Sequence, residues 1–111
     1  MELPSKVRFA NEKLKMAFGE LEKSKGSEKE LYAHLIKAFE CLEKDAFCGI
    51  QIPKRLIPKE YIKKYGIYNL WKYNLPNAWR LIYSIENQEI LIVSIVLEWL
   101  SHKEYNKRFN Y

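Results

Sequence analysis

Near Gly66 the spacing of apolar residues along this chain changes from three and four to two, dividing it into a helical first part and a sheet-forming second part. In the first part a short apolar piece, Val7 to Ala10, precedes Asn11, a helix-capping residue, and Leu14, Ala17, Phe18 and Leu21 follow at helical spacing. The pattern stops at Ser24, Lys25 and Gly26. A second helix is expected to start at Ser27, which with Glu30 has the spacing of a capping box, and to carry Leu31, Leu35, Ala38, Phe39 and Leu42 on one stripe. The two helices form an antiparallel hairpin with an apolar seam. Their outer faces, mixed Lys and Glu, read as solvated surface, and His34 beside the stripe reads as structural or exposed. Residues 46 to 58, AFCGIQIPKRLIP, hold a glycine and two prolines and exclude a continuous helix. Pro58 suits the first turn of a short helix, KEYIKKY, that Gly66 ends.

Beyond that point Leu70 to Leu75, Trp79 to Ile85 and Ile90 to Leu97 read as three strands, with turns at Pro76-Asn77 and Glu86-Asn87. They make an antiparallel meander with one face covered by the helices. Ser101 and Glu104 have capping-box spacing for a terminal helix, HKEYNKRF. The expected fold is α+β: an N-terminal helical hairpin packed on a twisted antiparallel sheet, with a short C-terminal helix, in a single domain over residues 1–111.

Arg80 lies inside an apolar, aromatic-rich run, NLWKYNLPNAWRLIYSI, and the register of the first hairpin decides where it points. A two-residue loop sets Tyr73 opposite Arg80. A three-residue loop, Pro76-Asn77-Ala78, sets Asn74 opposite Arg80 and Lys72 opposite Ile82. The second register gathers Tyr73, Leu75, Trp79, Leu81 and Tyr83 on the helix-covered face and leaves Lys72, Asn74, Arg80, Ile82 and Ser84 on an open face. It is preferred because burying a lysine and an arginine without partners is costly. In the third strand Leu91, Val93, Ile95 and Leu97 are expected in the core, with Ser94 and Glu98 on the side of Arg80. An Arg80–Glu98 ion pair tying the sheet edge is the simpler structural alternative.

The net charge of +5 is unevenly placed: residues 1–50 carry nine basic and nine acidic side chains, residues 51–111 ten and five. Eleven of the sixteen aromatics also fall in the second part, so basic and aromatic residues interleave as on a surface that meets a polyanion. A lysine-rich surface over a large aromatic core gives the same composition. The longest apolar stretch, Ile90 to Leu97 with Ser94 inside it, falls far short of the roughly 20 residues of a membrane span. The charged start MELPSKVRFANEKLK has no apolar signal core, so a cytoplasmic location without membrane association is expected. Cys41 and Cys48 are expected as free thiols, and with His34 and His102 far apart no metal site or cofactor is indicated.

Arg80, His102, Lys103 and Tyr105 fall within reach of one another in this arrangement, and they are the parts needed to cleave RNA without a metal. A base takes the ribose 2′-hydroxyl proton, an acid protonates the departing 5′ oxygen, and a cation stabilises the phosphorane between them. His102 or Tyr105 suits base or acid, and Arg80 the cation.

The helical hairpin, the strand ending WRLIY, the apolar strand ILIVSIV and the tail HKEYNKRF together resemble the RelE/ParE superfamily of toxins from toxin–antitoxin systems, over the element order of most of the chain. The resemblance implies that the first strand, Val7 to Ala10, joins the carboxyl-terminal strands. It further implies a ribosome-dependent mRNA endoribonuclease (an mRNA interferase) acting in the A site by 2′-hydroxyl attack and neutralised by a cognate antitoxin protein. The family's strand arginine corresponds to Arg80 and its terminal His and Tyr roles to His102 and Tyr105. Lys54, Arg55, Lys59, Lys63 and Lys64, in a link longer than is usual for the family, are candidates to grip ribosomal RNA, with Lys72, Asn74, Lys103, Lys107 and Arg108 nearer the site. The chain departs from the family at Glu98 and Trp99, where many members carry further basic residues. Two other readings remain: a non-catalytic ParE-like toxin that binds a topoisomerase, and a basic RNA-binding module whose aromatics stack bases.

Overall fold

The computed structural model describes residues 2–110. The chain runs β1 (Lys6–Phe9), α1 (Glu12–Lys23), α2 (Ser27–Lys44), β2 (Ile50–Ile52), α3 (Lys59–Tyr65), β3 (Leu70–Asn74), β4 (Arg80–Gln88), β5 (Leu91–Leu100) and α4 (His102–Phe109). The five strands form one sheet in the order β1-β5-β4-β3-β2. It is mixed rather than wholly antiparallel, because four antiparallel strands laid down from the far edge bring β5 alongside β1 in the same direction.

Local chemistry explains most of the boundaries. The Asn11 side chain accepts a hydrogen bond from the Leu14 amide at 2.9 Å and starts α1. At α2 the residue before the helix is Gly26, at φ 67°, and no side chain caps it. The Ser27–Glu30 box is therefore not formed: the tight turn between the helices needs a left-handed residue, and Ser27 is already helical. Pro58 precedes α3 with extended backbone rather than sitting in its first turn, and Gly66 closes that helix at φ 62°. The expected box at α4 is present, with Ser101 and Glu104 each bonding the other's backbone amide.

Asn74 pairs with Arg80 and Lys72 with Ile82, the register of the longer hairpin loop. Asn77 and Ala78 both turn through φ 62° to make it. The next hairpin turns later than expected: Gln88 still pairs with Leu91, and the chain reverses at Glu89-Ile90, not at Glu86-Asn87. The polar run Glu86 to Gln88 continues the strand because it projects beyond the core, where exposed side chains are tolerated.

Two layers cover the sheet, not one. On the first face α1 and α2 bury Leu31, Leu35, Ala38, Phe39 and Leu42 against Trp71, Leu75, Leu81, Tyr83 and Val96, with Tyr73 and Trp79 packed alongside. On the second face α3, α4 and the segments leading to them bury Ile57, Tyr61, Ile67, Tyr105 and Phe109 against Ile52, Leu70, Ile82, Leu97 and Leu100. The face carrying Lys72, Arg80 and Ser84 is therefore covered, not open. β5 also differs from expectation. Ile95 and Leu97 face the second layer, whereas Ser94 and Val96 face the hairpin, where the Ser94 and Ser5 hydroxyls bond at 2.8 Å. A bulge between Ile82 and Tyr83 leaves Leu97 as the extra residue of β5, so Leu97 and Glu98 both point to the second layer.

Candidate functional site

Three elements bring the candidate residues together beneath α4. Arg80 is the first residue of β4, Lys72 lies in the middle of β3 and Tyr105 is on the buried side of α4. The Lys72 ammonium donates to the Tyr105 hydroxyl oxygen at 3.1 Å. The Arg80 guanidinium lies over the Tyr105 ring, 5.2 Å from its centroid, a contact worth about 0.5–2 kcal/mol depending on how dry it is. One Arg80 Nη donates to the Trp79 carbonyl at 3.3 Å, while its Nε is buried without a hydrogen-bond partner.

Two cations thus converge on one phenol, and neither takes part in the ion pairs among the described residues. A buried donor without an acceptor is costly and marks a place where an incoming oxyanion would be welcome. The Arg80–Glu98 pair is not made, although Glu98 lies on the same face. Glu98 instead pairs with Arg108, which also reaches the Tyr61 hydroxyl at 3.4 Å and Glu60 at 4.0 Å. Burial first, and then the Glu98 carboxylate, push the Tyr61 hydroxyl far above its ordinary range.

Of the proposed catalytic trio, Arg80 and Tyr105 are in contact. His102 is exposed at the start of α4, with its ring 3.2 Å from the Asn106 side-chain nitrogen. Tyr105 is only 2 % exposed. Asn74 is exposed across the hairpin from Arg80, and Lys103 and Lys107 are exposed on α4. Lys54 and Arg55 occupy a 3₁₀ turn, Lys59, Lys63 and Lys64 project from α3, and all five are exposed. The Arg108 network was not foreseen, although the spacing of Tyr105 and Arg108 on α4 and the side of the sheet assigned to Glu98 would have pointed to it.

On the other face, the Tyr73 hydroxyl bonds the Cys41 sulfur at 3.5 Å and its pKa is pushed up to about 12, first by that bond and then by burial. Cys41 and Cys48 are free thiols. Burial, with Cys41 and Asp45 nearby, pushes the Cys48 thiol up to about 11. Among the described residues no group of three or more His, Cys, Asp or Glu could hold a metal ion, and no helix is long and apolar enough to cross a membrane. No family model, curated protein or solved structure matches the chain.

Proposed function

We propose that this protein is a RelE-like toxin, an mRNA endoribonuclease that works on the ribosome and is held inactive in the cytoplasm by a cognate antitoxin. The observation that carries the reading is the pairing of Lys72 and Arg80 on one sheet face, with a buried Arg80 Nε lacking an acceptor. In the reaction a base removes the 2′-hydroxyl proton and the oxygen attacks the adjacent phosphorus. The P–O5′ bond breaks as the leaving oxygen is protonated, giving a 2′,3′-cyclic phosphate and a 5′-hydroxyl. Arg80, with Lys72 behind it, stabilises the added negative charge on the phosphorane, and Tyr105 and His102 share the proton transfers. The exposed lysines of α3 and the 3₁₀ turn before it hold ribosomal RNA.

The test is cleavage of a defined message on programmed ribosomes, mapped by primer extension. Native protein is expected to cut within the A-site codon, and Arg80→Ala to cut at least about a hundredfold more slowly, the usual cost of removing a charge-stabilising donor. A second reading, RNA binding without cleavage, is favoured by the burial of Tyr105, only 2 % exposed and with its hydroxyl already bonded to Lys72. Tight ribosome binding with no cut message would establish that reading and reject the first.

A further inference from the structure

We infer that Arg108 is a positioning residue: through Glu98 it fixes α4 on the sheet so that Tyr105 meets Lys72 and Arg80, an assignment whose activity readout rests on the cleavage proposed above. Arg108 is basic and near the chain's end, which suggests a phosphate contact, but its side chain is turned inward. It is 34 % exposed and Glu98 21 %; it also donates to the Tyr61 hydroxyl at 3.4 Å and has the Glu60 carboxylate at an ion-pair distance of 4.0 Å. Glu98 stands opposite Ile82 in the sheet, two residues from Arg80 along β4. Arg108 follows Tyr105 by three residues, so both lie on one side of α4. A guanidinium hydrogen-bonded to Glu98 on β5 and to the Tyr61 hydroxyl on α3 sets both the rotation and the tilt of that helix. Lys72 and Arg80 approach the phenol from β3 and β4, which α4 itself does not control. A turn of α4 about its axis would therefore break the constellation while leaving both cations in place.

The experiment is a double-mutant cycle on the full chain with Glu98→Gln, Arg108→Gln and both together, plus the conservative Arg108→Lys. Cleavage on programmed ribosomes, backbone amide exchange along α4 and the Tyr105 ring resonances are followed in each. Either Gln variant is expected to lower kcat about tenfold with KM changed less than twofold, to speed α4 exchange about tenfold, and to shift the Tyr105 resonances. The double variant is expected to be no worse than the poorer single, and Arg108→Lys to recover part of each effect. Arg108→Gln that raises KM and flattens the salt dependence, with α4 exchange and Tyr105 resonances unchanged, would make Arg108 an RNA contact and overturn the assignment. Additive effects in the cycle would overturn it as well. If the native protein cuts no RNA, the proposed function fails alone, because exchange and resonances still decide the role of Arg108.

Discussion

Gly49 shows how one missing side chain holds the edge of the sheet. Its φ is −86°, an ordinary value, so space and not backbone freedom demands glycine here. A Cβ would lie 2.5 Å from the Lys72 carbonyl oxygen and 2.6 Å from the Tyr83 hydroxyl. That hydroxyl is engaged twice, accepting from the Gly49 amide at 3.1 Å and donating to the Ala46 carbonyl at 2.8 Å. Gly49→Ala is expected to cost about 2–3 kcal/mol of stability, the upper range for overpacking, read as a lower urea midpoint. An unchanged midpoint would mean that β2 shifts outward without penalty. At this scale the sequence also identified Arg80 as anomalous and set its register correctly. It did not show what covers Arg80, because Tyr105 comes from an element about twenty residues further on whose docking leaves no local pattern.

Elements with local determinants were the legible ones. α4 was foreseen from Ser101 and Glu104 alone, and both halves of the box form. Ser101→Ala should lower stability by about 1 kcal/mol, seen first as faster amide exchange in α4. The box also titrates: bonds from the Ser101 backbone amide and hydroxyl hold the Glu104 carboxyl below its ordinary value of 4.5. A carboxyl whose pKa is depressed by folding contributes stability above its unfolded value and loses it as pH falls through the folded one. Protection of α4 should therefore be constant at neutral pH and decline below about pH 4.5, a step that Glu104→Gln removes. β2 was illegible by contrast, since three residues between Gly49 and Pro53 show no periodicity and form a strand only because β3 offers an edge. The faces of β5 were misread for a related reason: Ile92 and Val96 are as apolar as Val93, Ile95 and Leu97, so alternation cannot select a side when both sides are buried.

For the whole molecule, the charge surplus of residues 51–111 sits largely on exposed side chains of the second layer, a placement suited to a polyanion. Replacing Lys54, Arg55, Lys63 and Lys64 together by Gln should leave the fold intact by circular dichroism and weaken ribosome binding. The slope of log affinity against log salt should fall in magnitude by up to about 3, from roughly 0.7 per contacted phosphate. An unchanged slope would separate these lysines from RNA. The pairing of β4 with β5 also holds a single irregularity, the extra residue Leu97. By absorbing it, the bulge keeps Trp99 beside Phe18 on the hairpin side and Glu98 and Leu100 on the other, as they would be without it, so the direction in which α4 starts is preserved. The chain is consequently unequal in its tolerance of length change. A residue gained or lost at the exposed Glu89-Ile90 tip disturbs little, and loss of Leu97 itself would only restore regular pairing with Glu98 still opposite Ile82, whereas loss of Trp99, beyond the bulge, exchanges the two sides of everything downstream. It would carry Leu100 under the hairpin and part Arg108 from Glu98.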